Sequence, residues 1–279
     1  MKFETVIKAD KKWFDFNFKE LVRYKDLIFM FVRRTFVSQY KQTVLGPLWA
    51  IIQPLLTTVV FTIVFGGIAK LPTDGAPTFI FYMCGNIAWT YFATSLTTTS
   101  NTFVTNAPIF GKVYFPRLVM PIATVISQFI SFMIQFIFMI IILIFLHING
   151  LFSFHFDFTF LLIPLILLQM AMLSLGFGVI ISSLTTKYRD LAMLVSFGTQ
   201  LWMYASPVAY ASSLIPAKWL NIYMLNPMAP IIDTFRYICL GVGQFQIGYY
   251  LIGWLITLMI LFVGLVLFNK VEKNFMDTI

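Results

Sequence analysis

The sequence predicts an all-α polytopic membrane protein with six transmembrane helices, a preceding amphipathic interfacial helix, and short re-entrant helices between spans five and six. Of its 279 residues, 59% are hydrophobic and only 11% are charged, whereas a soluble domain carries about 25% charged residues. Apolar stretches of about 20 residues, the length that crosses the hydrocarbon core, recur along the chain. Backbone in lipid must satisfy its own hydrogen bonds, so helices are expected.

The apolar stretches divide the chain into three parts. Residues 1–44 are predicted to form a cytoplasmic arm and interfacial helix, residues 45–269 the transmembrane domain, and residues 270–279 a cytoplasmic tail. The six spans are predicted at about 49–68, 79–98, 118–146, 158–184, 191–211 and 250–268. The interfacial helix, from about Phe18 to Gln42, mixes apolar and basic residues at helical spacing, which favours a position in the membrane plane.

The segment at about 212–248 does not fit a clean span. It is mostly apolar but interrupted by Pro216, Pro227, Pro230, Gly241 and Gly243. One or two short half-helices dipping into the membrane fit this pattern, because protein can cover their free backbone groups. An extracellular loop with a surface helix is the alternative.

Basic residues set the predicted orientation. With the N-terminus inside, sixteen of the nineteen Lys and Arg residues fall on the cytoplasmic side, and only Lys70, Lys218 and Arg236 fall outside. Positively charged loops stay in the cytoplasm, so both termini are predicted there. The basic residues that give the net charge of +8 are therefore expected to contact anionic lipid head groups. No nucleic-acid partner is expected.

Catalytic and metal-binding patterns are missing from the sequence. Five of the eleven acidic residues lie in the first 26 positions, and no carboxylate pair occurs at helical spacing in a span. We therefore expect no enzyme activity, metal ion or cofactor in this chain. The predicted spans also lack central ionisable residues, which ion-coupled carriers bury. Five glutamines in the spans either bridge helices or meet hydroxyl-rich cargo: Gln53, Gln128, Gln135, Gln169 and Gln200.

The remaining candidate ligands have ordinary interpretations. His147 and His155 fall in a predicted outer loop, where solvated histidines are expected and a binding site is the alternative. Cys84 and Cys239 match no metal or redox spacing. Two buried free thiols are expected, with a disulfide as the alternative.

Three motifs carry a family resemblance. They are the stretch from Tyr40 to Trp49 followed by Gln53-Pro54, the loop Lys187-Tyr188-Arg189-Asp190, and Asn226-Pro227-Met228. Together they resemble the membrane subunits of ABC type-2 exporters, and more narrowly those that export lipid-linked polysaccharides such as O-antigen, capsule and teichoic acid. Many relatives carry Arg directly before the Tyr-Lys pair, where this chain has Gln39.

The resemblance implies partners and roles. It implies a homodimer of this subunit with two copies of a separate ATPase, which binds the ATP and Mg, in the bacterial cytoplasmic membrane. Two compact cytoplasmic loops would then couple the subunits, although both could be simple basic turns. The implied coupling residues are Pro108, Ile109, Phe110, Lys187, Tyr188, Arg189 and Asp190.

Two further groups of residues suit a lipid-linked glycan. Arg33, Arg34 and Lys41 lie at the predicted cytoplasmic interface and could attract a lipid pyrophosphate. Aromatic rings stack on the apolar faces of sugars, and the expected channel-lining residues are Trp89, Tyr91, Phe92, Trp202 and Tyr204. An interfacial aromatic belt is the alternative for these five.

The sequence thus favours a permease subunit that exports a lipid-linked polysaccharide and is driven by a separate ATPase. One alternative is an ABC type-2 permease for drugs or small lipids, which would share the fold. The other is a membrane transferase acting on polyprenyl phosphate, which would need a carboxylate cluster that the sequence lacks.

Overall fold

The computed structural model describes residues 18–110, 112–113, 115–153, 158–185 and 190–272, and all regular secondary structure within these ranges is helical. The eleven α-helices among these residues are α1 (Phe18–Arg23), α2 (Lys25–Tyr40), α3 (Trp49–Phe61), α4 (Thr78–Ser100), α5 (Thr102–Phe110), α6 (Val119–Ile148), α7 (Ile163–Thr185), α8 (Leu191–Tyr204), α9 (Ala217–Tyr223), α10 (Met228–Leu240) and α11 (Ile247–Glu272). The predicted all-α class is confirmed.

Four helical stretches in the described ranges are long and apolar enough to cross a membrane. They are Gly46–Ile68, Val119–Ile148, Thr159–Thr185 and Ile247–Lys270, which correspond to predicted spans one, three, four and six. The first combines α3 with a 3₁₀ turn before it and a π-helical segment, Thr62–Ile68, after it. The chain is therefore a multi-pass membrane protein, and the full count of six spans stays a prediction.

Helix α4 occupies the centre of the bundle. It is 23 residues long and covers predicted span two, and it packs against α3, α6, α7, α8 and α10. Phe81 and Phe92 are fully buried, and so are hydroxyl residues such as Thr99. Because protein surrounds this helix, it can carry more polar side chains than a helix that faces lipid.

Helix α8 is shorter than predicted span five. It ends at Tyr204, whereas the sequence favoured a span reaching Ala211. Fourteen residues rise about 21 Å, less than the thickness of the hydrocarbon core. The helix ends because Pro207 lacks a backbone N–H and because the side chain of Asn226 takes over the carbonyl of Ala205 at 3.0 Å.

Small residues allow α7 and α11 to pack closely. A Cβ atom added to Gly176 would lie 2.9 Å from the Cα of Leu261, and one added to Gly264 would lie 2.7 Å from the carbonyl oxygen of Gly176. Both distances are too short for a methyl group. Glycine at these positions brings the two backbones together, as is common between membrane helices.

The predicted interfacial helix is divided into α1 and α2, with a break at Tyr24. Helix α2 packs on α6, and its residues Phe31, Val32 and Tyr40 are buried. Phe31 contacts the ring of Phe115 at 5.6 Å. A second hydrophobic cluster beside the main core therefore fixes α2 to the bundle.

The region at 212–248 contains a 3₁₀ turn, Ser212–Leu214, followed by α9 and α10. Helix α10 is buried along almost its entire length and packs against α4, α7 and α11. Two short helices agree with the predicted interrupted segment, and their depth in the membrane stays a prediction.

Cys84 and Cys239 are both free and buried. This agrees with the two buried free thiols that the sequence predicts.

Candidate functional site

A polar groove lies between α2, α3, α4, α5 and α6. It consists of two neighbouring cavities that share Gln39 as a lining residue. The first, of about 360 Å³, is lined by α3, α4, α6 and the end of α2 and is called here the neutral chamber. The second, of about 580 Å³, is lined between α2, α4, α5 and α6 and is called the basic chamber.

The neutral chamber is lined mainly by amides, hydroxyls and aromatic rings. Its described lining residues include no charged side chain, and they are Gln39, Tyr40, Thr43, Trp49, Ala50, Gln53, Pro54, Thr57, Thr90, Tyr91, Thr94, Gln128, Ser131, Phe132 and Gln135. Three of the glutamines singled out in the sequence therefore meet in one cavity. Gln135 is 6% exposed, and its Oε1 has no hydrogen-bond partner.

The basic chamber carries one cation among its described lining residues, Arg34. Arg34 is exposed, and no described carboxylate pairs with it. The rest of the lining is again rich in hydroxyls and amides, including Thr97, Thr98 and Asn101. This end of the groove can therefore attract an anionic group by charge.

A stripe of polar residues along α4 connects the two chambers. Thr90 and Thr94 line the neutral chamber, and Thr97, Thr98 and Asn101 line the basic one. Their spacing of three and four residues places them on one face of the helix. The same face continues into α5 with Thr105 and Asn106.

The hydroxyls of this stripe donate to the backbone of their own helix. Thr94 Oγ1 donates to the carbonyl of Thr90 at 2.6 Å, and Thr98 Oγ1 donates to that of Thr94 at 2.6 Å. Thr57 Oγ1 on α3 likewise donates to the carbonyl of Gln53 at 3.2 Å. Each hydroxyl has then used its only proton, so it can offer the groove only acceptor lone pairs.

Two interhelical contacts hold the walls of the neutral chamber. The hydroxyls of Tyr40 on α2 and Ser131 on α6 lie 3.1 Å apart. Asn86 on α4 donates through Nδ2 to the carbonyl of Pro54 on α3 at 2.9 Å. Tyr40 and Pro54 belong to the first of the three motifs on which the resemblance depends, so this motif helps to shape the chamber.

The comparisons with known proteins agree with this architecture. The sequence pattern of the ABC-2 type transporter family matches residues 26–240, more than half of the chain. The chain belongs to the ABC-2 type transporter family. It is 29% and 30% identical to two proteins from Klebsiella pneumoniae named O-antigen export system permease protein RfbA, over 90% of this chain and 94% of theirs.

A Myxococcus xanthus protein with the same name is 25% identical, over 78% of this chain and 82% of its own length. The three alignments therefore cover most of each protein. The family resemblance seen in the three sequence motifs is confirmed.

The predicted anion-attracting residues of this ABC-2 permease occupy different places. Arg33, Arg34 and Lys41 are all exposed, and of the three only Arg34 is among the groove-lining residues. Their role stays a prediction, and the geometry gives Arg34 the most direct access to a ligand in the groove.

The five predicted sugar-stacking residues also separate. Tyr91 lines the neutral chamber and packs against the ring of Phe132 at 5.4 Å. Trp89 and Phe92 pack against Trp202 at 6.2 and 5.2 Å, in a cluster that joins α4 to α8. Tyr204 is half exposed at the end of α8. Lining of a sugar channel by these five stays a prediction.

The predicted coupling residues are described only in part. Pro108 is exposed, Ile109 is half-buried and Phe110 is buried at the end of α5, where Phe110 contacts Phe103 at 5.5 Å. Asp190 is exposed at the start of α8. The three preceding coupling residues, Lys187, Tyr188 and Arg189, lie outside the described residues.

Two structural features were not anticipated from the sequence. Asn226 joins α8 to α10 by four hydrogen bonds, whereas the sequence indicated only the motif Asn226-Pro227-Met228. Arg236, counted as an outer-loop cation, is fully buried. Its guanidinium donates to the carbonyl of Pro207 at 2.8 Å, lies 3.7 Å from Asp233 and stacks at 3.8 Å on the Phe81 ring.

Proposed function

We propose that this chain is the channel-forming permease subunit of an ATP-driven ABC transporter that exports a lipid-linked polysaccharide across the bacterial cytoplasmic membrane. The observation that carries this proposal is the similarity, over nearly the full length of both chains, to proteins named O-antigen export permeases. Among the polymers that the sequence resemblance implied, the names of these relatives favour an O-antigen over capsule or teichoic acid. The groove of hydroxyls and amides adds a surface suited to sugars.

The transport cycle in this proposal draws its energy from a partner. Two copies of this subunit, each with six spans and both termini in the cytoplasm, assemble with two copies of a separate ATPase that binds ATP and Mg. Helix α5 supports this arrangement because buried Phe110 anchors it while exposed Pro108 remains accessible to a partner. The loop that ends at Asp190 supplies the second contact.

The cargo in this proposal is amphipathic. Its pyrophosphate is attracted at the cytoplasmic interface by Arg33, Arg34 and Lys41, and its sugars meet aromatic rings and hydroxyls on the way out. The short helices α9 and α10 shape the outer exit as re-entrant elements. No residue of this chain is required to make or break a covalent bond.

The test is a deletion strain complemented with the wild-type gene. We expect the deletion to remove the polysaccharide from the cell surface and to accumulate the lipid-linked polymer inside, and the wild-type gene to reverse both effects. An ATPase variant that binds but does not hydrolyse ATP should reproduce the deletion.

Other outcomes would assign a different function. A normal surface polysaccharide in the deletion strain, with altered drug or small-lipid export, would favour the drug or small-lipid permease. Synthesis of a glycolipid by the purified chain without any ATPase would favour the membrane transferase. Either result would contradict the proposal.

A further inference from the structure

We propose that the neutral chamber binds one uncharged sugar unit of the cargo while Arg34 in the adjoining basic chamber faces the phosphate that carries this sugar. This inference rests on the proposed function, because it names the part of a lipid-linked glycan that the groove recognises. It assigns the recognition to the described residues of α2, α3, α4 and α6 that line the groove within one subunit.

The size of the neutral chamber fits a small ligand. Its volume of about 360 Å³ lies within the range of about 300–1,000 Å³ that is typical of small-molecule sites. Trp49, Tyr91 and Phe132 provide aromatic surfaces among its polar walls. Aromatic surface beside hydrogen-bonding groups matches the apolar faces and hydroxyl edges of a sugar ring.

The hydrogen-bonding character of the chamber favours a neutral ligand with protons to donate. Thr94 and Thr57 have already used their hydroxyl protons on backbone carbonyls, so they can only accept from a ligand. Gln135 Oε1 is a further acceptor that lacks a partner although the residue is almost completely buried. Sugar hydroxyls can supply these protons, whereas a phosphate dianion cannot.

The charge distribution places the phosphate at the other end of the groove. The described lining residues of the neutral chamber include no cation, and those of the basic chamber include Arg34, which pairs with no described carboxylate. Gln39 lines both chambers, so a ligand can extend from one to the other. A sugar linked to a phosphate has this order of neutral and anionic groups.

The first experiment detects occupancy of the chamber by protection of a thiol. Thr57→Cys places a thiol in the neutral chamber, whereas the native Cys84 and Cys239 are fully buried and provide the background measured in the wild-type protein. The variant is purified with its ATPase in phosphatidylcholine nanodiscs and treated with a small water-soluble thiol reagent. The probes are farnesyl pyrophosphoryl-N-acetylglucosamine, sugar-free farnesyl pyrophosphate, and phosphatidylinositol.

We expect the glycosylated probe to slow modification of the thiol. At about ten times its Kd, mass action gives about tenfold protection. Farnesyl pyrophosphate should leave the rate nearly unchanged, because its phosphates stay near Arg34. Protection by phosphatidylinositol alone would assign the chamber to a membrane phospholipid, and an unprotected thiol in the presence of bound glycosylated probe would place the sugar elsewhere. Either result would overturn the proposal.

A second experiment removes acceptors from the chamber. Thr94→Val and Gln135→Leu should each weaken binding of the glycosylated probe by up to about tenfold, as expected for lost hydrogen bonds, and should leave binding of farnesyl pyrophosphate unchanged. Thr257→Val is the matched control, because its hydroxyl donates to the carbonyl of Gly253 at 2.8 Å but does not line the groove. Unchanged binding of the glycosylated probe by both variants would contradict the proposal.

These results can be separated from the outcome of the functional proposal. If the wild-type gene restores surface polysaccharide while the probe leaves the Thr57→Cys thiol unprotected, only the sugar site is wrong. If the deletion strain keeps its surface polysaccharide, the proposed export function is wrong, whatever the thiol experiment shows.

Discussion

The indole N–H of Trp202 donates to the side-chain oxygen of Asn226 at 2.9 Å and thereby joins the end of α8 to the start of α10. The same oxygen accepts from the backbone N–H of Met228 at 3.1 Å. The amide nitrogen of Asn226 donates to the carbonyl of Ala205 and to the hydroxyl of Ser206. One side chain therefore ends one helix and begins another.

We expect Asn226→Ala to destabilise the protein strongly. It removes all four hydrogen bonds and leaves the Trp202 indole without its partner, so a loss of about 2–4 kcal/mol is expected at about 1 kcal/mol per bond. The measurement is thermal unfolding of the detergent-solubilised protein.

Asn221→Ala is the control for this prediction. Asn221 is exposed and accepts one hydrogen bond, from Tyr249 at 2.6 Å. We expect a much smaller change in Tm for this variant. Equal shifts for Asn221→Ala and Asn226→Ala would show that the connection between α8 and α10 has no special importance.

Gly176→Ala should separate α7 from α11. The added methyl group would lie 2.9 Å from backbone atoms of Leu261, and backbone cannot move aside as a flexible side chain can. Overpacking of this kind costs about 1–3 kcal/mol, which should appear as a lower Tm and a lower yield of folded protein.

Gly198→Ala provides the matched control on α8, since a Cβ there has no atom within 4 Å. Alanine favours helix more than glycine does, by up to about 1 kcal/mol. We therefore expect Gly198→Ala to be neutral or slightly stabilising. A loss of stability as large as that of Gly176→Ala would contradict the close-packing explanation.

The sequence predicted the lipid-facing helices well because their signal is local. A run of apolar residues identifies a span such as α6 without any knowledge of its neighbours. The predicted boundary of span five was less accurate, because the end of α8 depends on Asn226, which lies more than twenty residues later in the chain. Contacts at this separation leave no local pattern.

The groove depends on which helix faces meet, and composition alone did not reveal it. Thr90, Thr94, Thr97 and Asn101 repeat at helical spacing, a signal that was present in the sequence. Threonine is also common where membrane helices pack, so the stripe by itself could not identify a cavity. The burial of Arg236 could not be predicted from the sequence either, because its contacts Phe81 and Pro207 lie in distant parts of the chain.

We expect Arg236→Met to destabilise the protein more than the double change Asp233→Asn with Arg236→Met. Removing the arginine alone leaves the buried carboxylate of Asp233 without its cation, and breaking a buried pair typically costs about 3–5 kcal/mol. The double variant removes both charges and should recover part of this loss. Thermal unfolding of both variants is the measurement, and equal Tm values would show that the ion pair is not the relevant interaction.

Ile109→Ala should weaken coupling to the ATPase without changing the fold. Ile109 is half-buried on α5 next to exposed Pro108, so its exposed part is available to a partner. We expect less ATP-dependent export per ATP hydrolysed in the purified complex. Val104→Ala on the same helix is the control, because Val104 is exposed but lies more than one turn before the proposed contact; an equal effect of both changes would argue against a specific contact.

Arg34→Gln and Arg33→Gln should differ although the residues are neighbours. Both remove one exposed positive charge from α2, but only Arg34 lines the basic chamber. If the charge acts inside the groove, Arg34→Gln should reduce export by about tenfold or more, since a charge-assisted hydrogen bond contributes about 1.5–3 kcal/mol, while Arg33→Gln should have a weak effect. Surface polysaccharide at equal permease levels is the measurement. Equal losses would mean that the charges act only by attracting lipid heads to the membrane surface, and that position in the groove is irrelevant.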